Sequence, residues 1–287
     1  MSLEQTYELI KARIPKTQQI DSLDVVKQVE EYRQFWKPAR TRANVFLLGE
    51  SHVSTKDEEL ASECNRVVLD SFIQNYPTHY VRFVYCLGYG EPQILNKQLK
   101  SNRGRTSQFW KIFSSCIAES CADLGFQRIL AGRTVLYQRL GNKVSILQEM
   151  QRRGIWLLDA SIVGINRLKR KKSMSQEERK KIMSQEVDKA IMRQEVIEKI
   201  ITTCWDEYIK SEIVESQPKH IIVIGKGVAR ILRWRLELLK ASSGTTHLVL
   251  PQPQGNRVNS EQQLETYREY QRTCSKYACS SSFKSHC

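Results

Sequence analysis

The sequence lacks any long apolar run and any Cys-x-x-Cys pair. No apolar stretch approaches the ~20 residues that span a bilayer, and the N-terminus does not have the basic-then-apolar order of a signal peptide. The eight cysteines include no Cys-x-x-Cys pair, so neither a disulfide framework nor a thiolate metal site is expected. We therefore expect an intracellular protein, cytoplasmic or nuclear, with reduced thiols, no metal and no membrane association.

Several nucleotide-binding and nucleophile motifs are also missing. No Gly-x-Gly-x-x-Gly follows the first predicted strand and no Walker loop is present, which argues against a dinucleotide enzyme or a P-loop NTPase. A nucleophile elbow is absent as well, which weakens the case for an α/β hydrolase. These absences give no reason to expect a cofactor.

Acidic residues are few relative to basic ones. Asp and Glu total 31 against 45 Lys and Arg, a formal net charge of +14. Such a surplus favours polyanionic partners, nucleic acid above all, because each phosphate that is neutralised releases counterions. The alternative is a basic surface with no specific partner, so charge favours DNA without identifying a site.

Five short apolar runs have the length and composition of buried strands. They are residues 45–48, 80–87, 155–158, 220–224 and 247–250. Helical spacing predicts two helices within 1–40 and others at about 56–72, 107–124, 175–211, 228–240 and 261–272, whereas 125–151 has no clear assignment. Strands that alternate with helices predict a three-layer α/β/α protein with a mostly parallel central sheet.

The same pattern divides the chain into three parts. Residues 1–40 are predicted to form an N-terminal helical segment, and 41–260 an α/β domain with a charged helical segment at 168–211. Residues 261–287 are predicted to form a C-terminal helix and, over about the last fifteen residues, a disordered tail.

Polar residues follow the predicted strands at their carboxyl ends. Ligands bind at this edge of parallel sheets, so we expect one rim to carry Glu50, Ser51, His52, Tyr89, Asp159, Lys226, Gln252 and Arg257. The simpler alternative for the first strand is a turn in which Glu50 and Ser51 cap the next helix.

Three of these strand ends resemble motifs of the uracil-DNA glycosylase superfamily. Residues 47–52, Leu-Leu-Gly-Glu-Ser-His, stand where that family has Gly-Gln-Asp-Pro-Tyr-His or Gly-Glu-Ala-Pro-Gly. Residues 154–160, Gly-Ile-Trp-Leu-Leu-Asp-Ala, are similar to its Gly-Val-Leu-Leu-Leu-Asn-Ala strand, and 250–257 to its His-Pro-Ser-Pro loop. Residues 221–230 are similar to the family's Val-Ile-Ala-Leu-Gly-Lys strand and helix start. The resemblance covers roughly residues 43–260.

This resemblance implies a uracil-DNA glycosylase-like fold and a monofunctional DNA N-glycosylase. Such an enzyme flips a base into its pocket, and water replaces the base at the sugar C1′, which leaves an abasic site. A carboxylate can orient the water. Ser51 occupies the position of the family's Asp or Asn, so Glu50 is our choice for this role and His52 the alternative. Gln252 replaces the catalytic His of the last loop and is a neutral donor toward the base anion.

Asp159 stands where the family has the Asn that reads uracil. An ionised carboxylate attracts the exocyclic amine of cytosine and repels uracil O4, and a protonated one can donate to cytosine N3. Val53, in place of a family Tyr, leaves room at C5. The predicted substrate is a cytosine-type base, modified at C5, as in foreign or phage DNA, with a role in antiviral defence. The alternative is that Asp159 caps a helix and that the enzyme excises uracil in DNA repair.

The remaining candidates would contact DNA. Tyr89 can stack on the flipped base or belong to the core. Contacts with phosphates or with DNA are predicted for five residues: Lys226, Asn256, Arg257, Lys169 and Arg170. The alternative is that these residues belong to tight turns or to a solvated surface.

Two other functions stay open at this point. One is a catalytically inactive nucleic-acid-binding protein of the same fold. The other is an unrelated hydrolase or transferase that uses Glu50 and His52 on a small molecule. We favour a monomer with DNA as its partner.

Overall fold

Four parallel strands form the centre of the protein. The computed structural model describes residues 1–38, 43–97, 99, 108–130, 132–165, 183–253 and 260–278. The strands are β1 (Val45–Gly49), β2 (Ile155–Asp159), β3 (His220–Ile224) and β4 (Thr246–Leu250), in the order β2-β1-β3-β4. Gly49, the last residue of β1, pairs with Asp159, the last residue of β2.

The apolar runs form strands because helices cover the sheet on both faces. Every residue of β1, β2 and β3 is buried, as expected for parallel strands with apolar side chains on either side. β4 lies at one edge and is more exposed. The predicted α/β class with a parallel sheet is confirmed, and so are four of the five predicted strands.

Helices precede, connect and follow these strands. They are α1 (Leu3–Arg13), α2 (Leu23–Phe35), α3 (Asp57–Leu60), α4 (Arg66–Asp70), α5 (Gln108–Ile117), α6 (Leu136–Arg153), α7 (Met183–Cys204), α8 (Lys210–Ser216), α9 (Lys226–Ser243) and α10 (Glu261–Tyr277). Short 3-10 helices occur at Leu87–Tyr89, Pro92–Ile94 and Phe126–Ile129, and a π-helical turn, Trp205–Ile209, joins α7 to α8.

The helices pack in two groups. Helix α5 contacts both α6 and α10, and α7 contacts both α1 and α9. The chain moves from β1 to β2 in one direction across the sheet and from β2 to β3 and β4 in the other. Right-handed crossovers therefore place the two groups on opposite faces. None of the described helices is long and apolar enough to cross a membrane.

The predicted strand at 80–87 is wrong. This segment is irregular and buried, and it ends in the 3-10 helix Leu87–Tyr89. Hydrogen bonds to tyrosine hydroxyls stand here in place of the backbone ladder of a sheet. The backbone N–H of Leu157 in β2 donates to the Tyr85 hydroxyl at 2.8 Å, and the hydroxyl of Tyr76, which precedes the segment, donates to the Tyr85 carbonyl. Tyr85 thus occupies the edge of β2 where a fifth strand would pair.

Several predicted helices have different bounds in the structure. The helix predicted at 56–72 is two short helices, α3 and α4, and the one at 107–124 ends at Ile117. The unassigned stretch 125–151 contains most of α6. The charged helix predicted at 175–211 is described from Met183 and continues through the π-helical turn to Ser216. Helix α10 extends to Tyr277 instead of 272, because Cys274 is buried and contacts Cys116 of α5.

A buried ion cluster holds the 3-10 segment against α6. The Glu91 carboxylate accepts hydrogen bonds from Arg139 Nη2 at 2.6 Å and from Lys143 Nζ at 2.7 Å. All three side chains are at most 5% exposed. Burial alone would raise the pKa of Glu91, but the two cations lower it below its usual value. The cluster therefore fixes the position of residues 87–94 through charge as well as packing.

Candidate functional site

The carboxyl ends of strands β1 to β4 lie along one edge of the sheet, the rim that the sequence predicted. A Cβ placed on Gly49 would lie 2.8 Å from Asp159 Oδ1, and one on Gly227 would lie 3.8 Å from Glu50 Oε1. A Cβ on Gly225 would lie 4.0 Å from the Cβ of Gln252. The structure therefore brings Glu50, Asp159, Gln252 and the start of α9 together.

Two glycines allow this close approach. Any side chain at Gly49 would collide with the Asp159 carboxylate, which lies against the backbone of β1. Gly225 has φ of 100°, a conformation that L-residues rarely adopt, and it lets β3 turn directly into α9. The Lys226 side chain that follows is exposed at the first turn of that helix.

Helix capping does not explain the polar residues of the rim. Helix α3 begins at Asp57 after Lys56, so Glu50 and Ser51 do not cap it. Asp159 is followed by six residues with no helical structure, 160–165. Instead, the Ser51 hydroxyl donates to the His52 carbonyl at 3.0 Å and accepts from the Ile165 backbone at 3.3 Å. Ser51 therefore ties the loop after β1 to the loop after β2.

Asp21 is a buried residue of the candidate site that the sequence analysis missed. It lies between α1 and α2, and its carboxylate is fully buried. It accepts hydrogen bonds from His52 Nε2 at 2.9 Å, the Gly164 backbone at 2.6 Å, the Thr55 backbone at 3.1 Å and the Ser54 hydroxyl. Burial raises its pKa, but these donors outweigh that effect and the pKa is lowered. An ionised Asp21 therefore holds both rim loops and fixes the His52 ring.

His52 is enclosed and points its second nitrogen at Asp159. The side chain has no exposed surface, and Nδ1 lies 4.0 Å from Asp159 Oδ2. Among the described residues neither of these two buried atoms has a hydrogen-bond partner. Because the imidazole does not reach the surface, the geometry favours Glu50, which is partly exposed, over His52 as the group that contacts water at the rim.

Asp159 is a buried carboxyl with an altered pKa. Burial raises its pKa to about 6, and the charge of Glu50 contributes, while His52 and Arg33 oppose the increase. Together with Arg33, Glu30 and Phe83, Asp159 lines a small cavity of a size that holds about one water molecule. The protonation state of this carboxyl therefore changes near neutral pH, next to the Asp21–His52 pair.

The other candidate residues are placed less centrally. Val53 and Tyr89 are half-buried, and the Val53 backbone donates to the Arg82 carbonyl at 3.1 Å. Burial raises the pKa of Tyr89, and the nearby Arg82 opposes this. Gln252 is exposed. Lys169, Arg170, Asn256 and Arg257 lie outside the described residues.

The fold and the rim define an α/β protein with a parallel sheet and a polar site at the carboxyl ends of its strands. No family model, curated protein or solved structure matches the chain. Membership of the uracil-DNA glycosylase superfamily therefore stays a prediction from the strand-end motifs.

Proposed function

We propose that the protein is a DNA glycosylase that flips a cytosine-type base, modified at C5, out of DNA and excises it by hydrolysis. The observation that carries the proposal is the Asp159 carboxyl at the end of β2. Its side chain is 10% exposed while Oδ2 is enclosed. Its accessible part therefore lies on the Oδ1 side, beside Gly49 and the loop that carries Glu50.

Burial of a carboxyl of this kind is energetically unfavourable, which supports a functional role. A buried carboxylate loses hydration, and the Oδ2 atom of Asp159 has no hydrogen bond among the described residues that would compensate for it. Strongly altered pKa values concentrate at functional sites. With a pKa of about 6, the group is available both as an acceptor for an exocyclic amine and as a donor to a ring nitrogen. Both are features of cytosine, whereas uracil offers a carbonyl at the first position.

The neighbours of Asp159 support a hydrolytic step. Glu50 follows β1 on the same rim, and a carboxylate there can orient the attacking water. The exposed Lys226 stands at the N-terminus of α9, where backbone N–H groups and the helix dipole favour a phosphate. The net charge of +14 adds a long-range attraction for DNA.

The test is excision from oligonucleotides of one sequence that carry cytosine, 5-hydroxymethylcytosine, a glycosylated cytosine or uracil. Abasic product is measured by alkaline strand cleavage, and we expect it on a modified cytosine. Asp159→Asn should move the preference toward uracil by about tenfold or more, the scale of one base-reading contact. Asp24→Asn, at an exposed position on α2, is the matched control and should leave the preference unchanged.

Two results would redirect the proposal. Excision from the uracil strand alone would favour the repair function and refute the base-reading role of Asp159 as an acid. A lack of abasic product on every strand, with salt-dependent DNA binding intact, would favour an inactive nucleic-acid-binding protein. An inactive nucleic-acid-binding protein also has support in the site. The Ser51 hydroxyl is engaged in holding two loops together, and Gln252 is neutral.

A further inference from the structure

Helix α9 carries exposed basic residues that begin at the rim. Lys226, Arg230 and Arg233 are all exposed, and with 3.6 residues per turn they lie within about 60° of one another around the helix. We call these three residues the basic stripe. In the part of the chain that the structure describes, none of the three forms an ion pair. The acid on this face, Glu237, lies one turn beyond Arg233 and 3.6 Å from His247 Nε2.

An exposed tryptophan lies beside the basic stripe. The Trp234 side chain is 56% exposed, whereas the other four tryptophans are at most 3% exposed. The guanidinium of Arg235 lies 4.3 Å from the centroid of its ring. Arg235 is itself held by two hydrogen bonds to Asp206, from Nε at 2.8 Å and from Nη2 at 2.5 Å.

This arrangement fixes the indole before any ligand arrives. The Arg235 guanidinium, which Asp206 holds, lies over one face of the ring, and more than half of the side chain remains exposed. A ring held in place loses little conformational freedom on binding. Aromatic rings of this kind, next to cations, are what proteins use to stack unpaired bases.

We propose that the basic stripe and Trp234 bind a single-stranded stretch of DNA that flanks the nucleotide at the rim. Eight residues separate Lys226 from Trp234, which is about 12 Å along the helix axis. The three cations neutralise successive phosphates, and an unpaired base stacks on the exposed ring of Trp234. The choice of DNA rests on the proposed function, but the contact itself involves no step of the excision reaction.

The exposed indole next to the cations favours nucleic acid over other anionic partners. One exposed indole beside three cations without ion pairs is complementary to a chain that alternates phosphates with flat apolar bases. An anionic membrane or an acidic protein would also be attracted to the cations. Neither of them provides a base to stack on the indole, and this difference makes the alternatives distinguishable.

The test uses the intrinsic fluorescence of the full chain, because Trp234 is the exposed tryptophan. Titration with a single-stranded DNA oligonucleotide should quench the emission. Trp234→Ala should abolish this quenching and weaken the affinity about tenfold, whereas Trp234→Phe should retain most of the affinity. Tyr137→Ala, at another exposed aromatic position (59% exposed), is the matched control and should bind normally.

The basic stripe has its own measurement. Replacing both Arg230 and Arg233 with Ala should lower the slope of log K against log salt by about 1.4, at about 0.7 for each phosphate contact on a single strand. Lys11→Ala, an exposed cation on α1, is the control and should change this slope by much less.

Two outcomes overturn the proposal, and a third separates it from the glycosylase proposal. Unchanged affinity of Trp234→Ala refutes the stacking contact, even if excision proceeds normally, and the glycosylase proposal then survives alone. Tighter binding to anionic phosphatidylserine vesicles or to an RNA strand of the same sequence refutes the assignment to DNA. If no strand yields abasic product but binding still depends on Trp234, the glycosylase proposal falls and this inference stands.

Discussion

The substitution Asp159→Asn is expected to stabilise the protein at neutral pH and to have little effect at acidic pH. The folded-state pKa of Asp159 is about 6, against a value of 3.8 for the unperturbed group. An acid whose pKa is raised by folding contributes stability while it is protonated in the folded state. That contribution is complete below the unfolded pKa near 4 and is lost as the pH rises through about 6.

The magnitude follows from the difference in pKa. A shift of about 2 units corresponds to about 3 kcal/mol, at about 1.4 kcal/mol per unit. The wild-type free energy of unfolding should therefore carry a penalty of about this size above pH 7 that is absent at pH 4. Asn has nearly the shape of the protonated acid and no charge, so the variant should lack the pH-dependent part.

The assay is urea unfolding at five pH values from 4 to 8. The difference in free energy of unfolding between Asp159→Asn and wild type should grow by about 3 kcal/mol across this range. Asp24→Asn provides the control, and its difference should stay nearly constant. A difference for Asp159→Asn that changes by less than about 1 kcal/mol would refute the claim that burial raises this pKa.

Three further substitutions test the supporting structure. Asp21→Asn places an amide donor among the four groups that donate hydrogen bonds to Asp21. The free energy of unfolding in urea should fall by about 3 kcal/mol, and a fall of less than about 1 kcal/mol would contradict the view that Asp21 holds the two loops. Glu91→Gln leaves two buried cations without a counterion and should cost about 3–5 kcal/mol, whereas Glu149→Gln, at a partly exposed pair, should cost less than about 1 kcal/mol. Glu50→Gln should lower the excision rate about 100-fold or more with little change in DNA affinity; an equal loss of affinity would instead indicate a binding role.

The strands could be predicted because their signal is local. Four apolar runs, at 45–48, 155–158, 220–224 and 247–250, are short and end in polar or glycine turns, and the structure contains all four. The run at 80–87 has the same composition but forms no strand. Its outcome depended on tyrosine hydroxyls that reach β2, and no local pattern contains that information.

The rim could be predicted in part for a related reason. Parallel strands must align their carboxyl ends, so residues such as Glu50, Asp159 and Gln252 were expected to converge once the strands were known. The sequence did not reveal Asp21. It is a single acid in a helix–helix connection, 31 residues before the His52 that it binds.

What the sequence by itself determined is therefore the class of the fold, the order of its strands along the chain and the identity of the polar groups at their ends. These follow from hydrophobic periodicity and from the geometry of parallel sheets. Only the tertiary structure decided which groups are ionised, enclosed or paired. Asp21 and Asp159 are the same residue type and both are buried. One is stabilised as an anion by four donors, while the other has an oxygen with no partner and a pKa of about 6, because pKa depends on neighbours that folding brings from distant parts of the chain.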